Sequence, residues 1–376
     1  YHRPREIFRH EIGKPSKEDK LIFKENSEAF TVSIGLSSDE KYFFITTSDH
    51  NTSEQYYFST NEIDMVPKII KERNKGVIYY VNSWNNKFYL HTNENAEDFK
   101  IDYCDNILEQ KWKSFIPAKD EVLIGGLVFL DDWIIRSETS NALGKLIIRD
   151  PKTGNEKNLD FVDEQVIVPS ISLKQKDKNT DEVYLSYSSP KTPSKTYSYN
   201  LRTNEKNLVK EQEIPSGHNP DDYIVERLEC KSHDGRLVPL TITRHKNTKL
   251  DGNSNLLLYG YGSYGNSMSP SFSSTRLSLI DRDVIWVTAH IRGGLERGMK
   301  WWKEGKLLNK KNTFKDYIAA ANFLIEKKYT SKRKIIGMGG SAGGLLMGAV
   351  VNKAPELFLG MIMAVPFVDS LTTNLD

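Results

Sequence analysis

Over roughly the first 215 residues, apolar and polar letters alternate in short runs, the period of two expected of strands that bury one face. The runs recur. "KYFFITTS" begins at Lys41, "KFYLHTN" at Lys87, "DWIIRSE" at Asp132 and "EVYLSYSS" at Glu182, at spacings of 46, 45 and 50 residues. Each is followed by polar turn letters and a second strand-like run: "EQYYFST", "DFKIDYCD", "GKLIIRDPKTG" and "KTYSYNLRTNE". A period in the forties built from short strands predicts propeller blades, four of them here. A β-sandwich with coincidental spacing is the competing reading, because the repeats agree in pattern more than in letters.

After "EIPSGHNPDD" the pattern changes. "YIVERLECKSHDGRLVPLTITRH" predicts a hairpin turning at Asp234-Gly235, followed by a strand over Leu256–Tyr259, a helix around Phe272–Ile280 and a strand over Val284–His290. Phe314, Tyr317, Ile318, Ala321, Leu324 and Ile325 then fall on one face of a helix, and strands over Lys334–Met338 and Met361–Val365 flank a second helix over Ala342–Asn352. Strands alternating with helices predict a doubly wound, mostly parallel sheet, with ligands at the carboxyl ends of its strands. The expected organisation is therefore a partial β-propeller over residues 1–215 and a second, α/β domain over 216–376.

Two features lie at such strand ends, "LLLYGYGSYG" and "GMGGSAGGLLMG". The second holds Gly339-Gly340-Ser341-Ala342-Gly343 between a strand and a helix, the G-x-S-x-G elbow of α/β-hydrolases. The chemistry requires the glycines. A nucleophilic serine on so sharp a turn leaves no room for side chains two residues to either side, and the turn aims a helix N-terminus at the serine oxygen. Gly344 and Gly348 should let that helix press closely on the sheet. With 24 glycines in 376 residues the pattern alone could be coincidence; its strand-turn-helix setting is what favours the elbow.

Composition narrows the function classes. Net charge is +2 with 27% charged residues, so nothing favours nucleic acid or an anionic membrane. "KEGKLLNKK" (Lys303–Lys311) is the nearest approach to a basic patch and reads as a solvated face. No apolar run approaches the roughly 18 residues of a membrane span. Cys104 and Cys230 form no metal or redox motif and fit a reducing compartment. No metal or cofactor is expected.

From about Tyr223 onward, "LLLYGYGSYG", "RLSLIDR", "HIRGG", "GKLLNKKNTFKDY", "GMGGSAGGLLMG", "PELF" and "VPFVD" resemble, in order, the prolyl oligopeptidase family of serine peptidases, in particular its basic-residue-specific oligopeptidase B branch. The resemblance is looser back to "REIFRHEIGKPSKEDKLIF". It implies a cytoplasmic peptidase whose α/β-hydrolase domain is capped by a propeller that admits only short peptides, cut after Arg or Lys. It also implies roles for three residues. Ser341 would be the nucleophile, and the Ala342 backbone N–H and the Tyr261 hydroxyl would bind the oxyanion. On its letters alone, Tyr261 is equally an aromatic packing residue.

Three departures qualify this. Ser269 and Ser271 stand where the branch carries two acidic residues thought to hold a second basic side chain, and Leu295 stands where a third glycine is common. The last departure concerns the triad. The order in α/β-hydrolases is Ser, Asp, His. All eight histidines (His2, His10, His50, His91, His218, His233, His245, His290) precede Ser341, and the 35 residues after it hold Asp369 and Asp376 but no histidine. Asp369 follows the strand after the elbow helix, one strand too early for the acid. These 376 residues are therefore expected to lack the triad Asp and His, to be an interior or truncated portion of a longer enzyme, and to be inactive as written. A catalytically dead binding module, or another serine hydrolase such as an esterase or acyl-aminopeptidase, is the alternative.

Overall fold

The computed structural model describes residues 3–62, 66–369 and 371–372; His2 and Asp376 lie outside them. The chain forms two compact units, residues 1–120 and residues 121–376.

The first unit opens with a hairpin of Glu6–Arg9 and Lys20–Lys24. Two four-stranded antiparallel sheets follow, Thr31–Leu36, Tyr42–Ser48, Ser53–Ser59, Lys68–Lys71 and then Tyr79–Trp84, Lys87–Thr92, Lys100–Cys104, Lys113–Ile116. In each, strands pair in chain order, the meander of a propeller blade. Phe44 and Tyr57 of one blade share a buried cluster with Val81, Phe88 and Leu90 of the next. Alternation along the strands dictates this, because inward letters from both sheets meet while outward ones stay wet.

The second unit begins with two more blades, Val122–Phe129, Ile134–Ser140, Leu143–Arg149, Glu156–Asn158 and Val168–Leu173, Glu182–Ser188, Lys195–Asn200, Lys206–Glu211. Their shared core holds Ile135, Ile148, Val183 and Leu185. The recurrent runs in the sequence are the two inner strands of each of the four blades. Separate four-stranded meanders, rather than two large sheets face to face, exclude the sandwich.

A six-stranded sheet completes this unit in the order Tyr223–Lys231, Leu237–His245, Val284–Ala289, Asn255–Tyr259, Ile335–Gly340, Phe358–Ala364. The first two form the expected hairpin, with Gly235 at φ +88° in its turn. Leu237–His245 is antiparallel to Val284–Ala289, and the remaining neighbours are parallel. Helices Ser274–Ile280, Gly298–Lys303, Lys311–Glu326 and Ala342–Lys353 accompany the sheet. Its core includes Leu240, Leu258, Val287, Tyr317, Leu346 and Met347, all fully enclosed.

The Lys311–Glu326 helix is turned from the face its apolar letters predict. Thr313, Asp316 and Ala320 are buried with Tyr317, Ala321 and Leu324, while Phe314, Ile318 and Ile325 are only partly covered. Two polar residues lie on the inner face because Asp316 takes Arg292 as a buried partner, 2.7 Å away. No described helix is long and apolar enough to cross a membrane.

Candidate active site

Ser341 stands where the Ile335–Gly340 strand passes directly into the Ala342–Lys353 helix. Its backbone lies at φ 53°, ψ −118°, outside the regions an L-residue prefers. Such strain costs about 1–3 kcal/mol and persists only where the surroundings over-determine it. They do so here. Ser341 N–H donates to Ala364 O at 2.9 Å, and Phe367 N–H donates to Ser341 O at 3.0 Å.

The flanking glycines are required by space. A Cβ on Gly339 would lie 2.4 Å from Gly343 O, and one on Gly343 would lie 2.9 Å from Gly260 O. Neither clash could relax, because both partners are backbone. Gly344 and Gly348 do not act as expected. A Cβ on Gly344 would meet Pro366, 2.5 Å away in the segment after the last strand, and one on Gly348 would meet only Val368, at 3.9 Å. The close strand-to-helix approach is the one at Gly339, against Gly343 O; a Cβ on Gly337 would meet only side-chain ends, Met361 Sδ of the neighbouring strand at 2.3 Å and Met347 Sδ of the helix at 3.0 Å.

The Ser341 side chain is exposed and, among the described residues, its hydroxyl has no hydrogen-bond partner. The Ala342 N–H, the first of the helix, also lacks an acceptor among them, as the first turn of any helix does. An unpaired hydroxyl beside an unpaired N–H at the positive end of a helix suits an attacking oxygen and the oxyanion it generates.

Tyr261 follows the parallel strand Asn255–Tyr259 at the same end of the sheet. Its ring edge lies 3.4 Å, and its Cα 3.6 Å, from where a Gly343 Cβ would stand, so it packs on the elbow helix's first turn. Its hydroxyl has no partner among the described residues. Leu295 contacts the same loop, 3.3 Å from a Cβ on Gly265. Ser269 lines a cavity of about 160 Å³ with Glu138 and Lys145, and Ser271 N–H donates to Ser269 O at 2.9 Å.

No described histidine reaches Ser341. His10 bonds Asp19, His218 bonds the Lys191 carbonyl and His233 faces Ser232. His290 is fully buried, with Nε2 2.8 Å from Thr241 Oγ1. Burial, and then the Arg227 charge, hold it well below the usual imidazole range, so it is neutral. Asp369 is exposed and accepts from Thr372 N–H. Among the described residues no group of acidic, His and Cys side chains could hold a metal ion. Cys104 and Cys230 are both free and buried.

The support beneath the site was not legible beforehand. Arg292, 1% exposed, donates from Nε and Nη2 to Asp316 at 2.8 and 2.7 Å and from Nη1 to Asp234 at 2.5 Å. Burial alone would lower its pKa, but the bonds to Asp316 and Asp234 outweigh this and hold it above the ordinary value. Thr313 Oγ1 donates to Arg292 O at 2.8 Å. The letters "HIRGG" and "NTFKDY" held these residues, but nothing in them marks a buried charge.

Comparison with known proteins gives the site its lineage. A family model described as prolyl oligopeptidase, N-terminal beta-propeller domain, matches residues 2–212, and one described as prolyl oligopeptidase family matches residues 270–376. Dipeptidyl aminopeptidase BI of Pseudoxanthomonas mexicana is 36% identical over 371 residues, 98% of this chain and 51% of the relative. Protease 2 of Moraxella lacunata is 34% identical over 389 residues, 100% of this chain and 54% of the relative. A structure of oligopeptidase B from Trypanosoma brucei with covalently bound antipain, in its closed form, superposes with a TM-score of 0.92 at 31% identity, covering 100% of this chain and 54% of that one. The chain thus spans about half the length of the curated relatives it matches. On the family-model matches, this chain belongs to the prolyl oligopeptidase family.

Proposed function

We propose that these residues form part of a serine oligopeptidase that cleaves short peptides after Arg or Lys through an acyl-enzyme on Ser341. The observation that carries the reading is the unpaired Ser341 hydroxyl, held at a positive φ beside the unpaired Ala342 N–H. Ser341 Oγ attacks the scissile carbonyl as its proton passes to a base. The resulting oxyanion is held by the Ala342 N–H and the Tyr261 hydroxyl. One such donor is worth about 10²–10³-fold in turnover. The base then returns that proton to the departing amine as the C–N bond breaks, and water, giving a proton to the same base, releases the acyl group and restores the Ser341 hydroxyl.

The base and its carboxylate partner lie outside these 376 residues on this reading, so the 376 residues alone are inactive, since a serine without its base is a poor nucleophile at neutral pH. The domain division is proposed at about residue 215, and the compartment as the cytoplasm. A second reading, release of dipeptides from a free N-terminus, is favoured by the 36% identity to the relative named dipeptidyl aminopeptidase BI.

The test is hydrolysis of short chromogenic amides ending in Arg by the natural polypeptide that carries these residues. Amino-blocked and amino-free substrates are compared, with Ser341→Ala alongside. Loss of about 10⁶-fold in kcat is expected for Ser341→Ala. Retention of turnover by this variant refutes the nucleophile. Cleavage of amino-free dipeptide amides alone selects the second reading.

A further inference from the structure

Tyr261 sits on a loop that does little to hold itself. Gly262 and Gly265 lie at φ +65° and +69°, and the loop's backbone bonds include Gly265 N–H to Gly293 O at 2.9 Å and Asn266 N–H to Ser263 O at 3.0 Å. The Gly262 carbonyl is wedged on one side by Gly293, where a Cβ would come within 1.9 Å of its oxygen. On the other side stands Lys310. Its Nζ donates to Gly262 O at 2.5 Å and to Ser263 Oγ at 2.6 Å.

Nothing in the stability of Lys310 itself accounts for this placement. It immediately precedes the Lys311–Glu326 helix, where the helix dipole disfavours a cation. Among the described residues no carboxylate pairs with it; its side-chain acceptors are the neutral Gly262 carbonyl and Ser263 hydroxyl. Burial pulls its pKa down to about 8, the expected response of an ammonium given only neutral acceptors. Its surroundings return only the order it imposes on the carbonyl next to Tyr261.

We infer that Lys310 is a positioning residue, which by clamping the Gly262 carbonyl and the Ser263 hydroxyl sets the direction of the Tyr261 side chain over the elbow. The inference rests on the reading of Tyr261 as an oxyanion donor. A misdirected donor weakens the transition state while leaving ground-state binding alone, so the clamp acts on kcat and not on KM. Arginine at this position keeps a cation that can reach both acceptors; methionine keeps the length and loses the donor.

The test uses the natural polypeptide with Lys310→Met and Lys310→Arg, read by steady-state kinetics and by amide hydrogen exchange of the 262–266 segment. Lys310→Met is expected to lower kcat about 10–100-fold with KM within about twofold, and Lys310→Arg to recover most of the loss. Exchange at Gly265 and Asn266 should rise at least about tenfold in Lys310→Met, while that of Leu257 and Leu258 in the adjoining strand stays unchanged. Lys310→Gln replaces Lys310→Met if the latter does not fold, with the same direction expected. Unchanged exchange in the loop, or equal loss of kcat in the Met and Arg variants, overturns the clamp. If the wild-type protein hydrolyses no peptide, the oligopeptidase reading fails, and the exchange measurement still decides whether Lys310 orders the loop.

Discussion

In the blades every hydrogen-bonded neighbour is also the next strand along the chain, whereas in the six-stranded sheet Asn255–Tyr259 lies between Val284–Ala289 and Ile335–Gly340. Local pairing keeps each blade's backbone hydrogen bonds within some 40 residues of chain, while its apolar face is buried against a neighbouring blade. The hydrolase sheet must bring together segments some 30 to 80 residues apart, and it does so around charge. Ser232, on the hairpin turn, and Arg292, after a central strand, both bond Asp316 on a helix. The Ser341 elbow is held in the same long-range way, with Ser341 bonded to Ala364 and Phe367. Charge is buried in both kinds of sheet, but in the third blade Arg136 takes Glu138 and Glu156 from its own sheet, whereas in the hydrolase sheet Arg292 and Asp316 are joined from separate elements.

The first way to break this contrast is to remove the charge. Asp316→Ala leaves Arg292 buried with half its partners, and deleting one member of a buried pair costs about 3–5 kcal/mol. The double variant Arg292→Met/Asp316→Leu should recover a large part of that loss, because the penalty belongs mainly to the orphaned charge. Urea unfolding measures both. A double variant no more stable than Asp316→Ala would mean that the network is itself the main source of stability.

A smaller effect is expected in the blades. Ile45 is fully buried between Val32 and Phe58, so Ile45→Ala costs about 2–4 kcal/mol from lost burial and the cavity left behind. Because the loss is confined to the first unit, KM and kcat of the natural polypeptide should, on the reading of Ser341 proposed above, stay within about twofold. A kinetic change much larger than that would show the blades are not the self-contained elements their pairing suggests.

What could be read from the letters follows the same division. The inner blade strands were legible because period-two alternation is local. The outer strands were not, since Lys206–Glu211 is exposed along its whole length and Glu156–Asn158 likewise, which leaves no alternation to see. Ser341 was legible because its turn excludes side chains at Gly339 and Gly343, a demand that leaves its mark on neighbouring letters. Gly344 and Gly348 read as contacts of the helix with the sheet, but Gly344 faces Pro366 in the segment after the last strand, and nothing in the letters around it announces that partner. Lys310 lies in the run read as a solvated face, and no letter beside Arg292 or Asp316 marks them as buried, because the partners that bury a charge come from other elements.

Glu296 sharpens the comparison where the two kinds of structure meet, since its carbonyl accepts from Ala142 N–H in the third blade at 2.8 Å. The side chain is 1% exposed; Oε1 accepts from Met268 N–H, while Oε2 has no hydrogen-bond partner among the described residues. Burial raises its pKa to about 7, against the opposing pull of the Met268 bond. His290 Nδ1 stands 4.0 Å away, but with the imidazole neutral the two do not form an ion pair. The sign follows directly. Between the ordinary carboxyl range near 4.5 and about 7 the folded protein keeps a proton that the unfolded chain has lost. Stability from this group is therefore full below pH 4.5 and declines as pH rises through 7. Glu296→Gln holds the neutral form at every pH. It should match wild type near pH 5 and exceed it by about 1–2 kcal/mol near pH 8, as one unit of pKa shift corresponds to about 1.4 kcal/mol and relaxation takes part of the total. Thermal midpoints of both proteins from pH 5 to 8 decide it: two parallel curves would mean that Glu296 is already ionised in the folded state, and that the seam tolerates charge as the Arg292 network does.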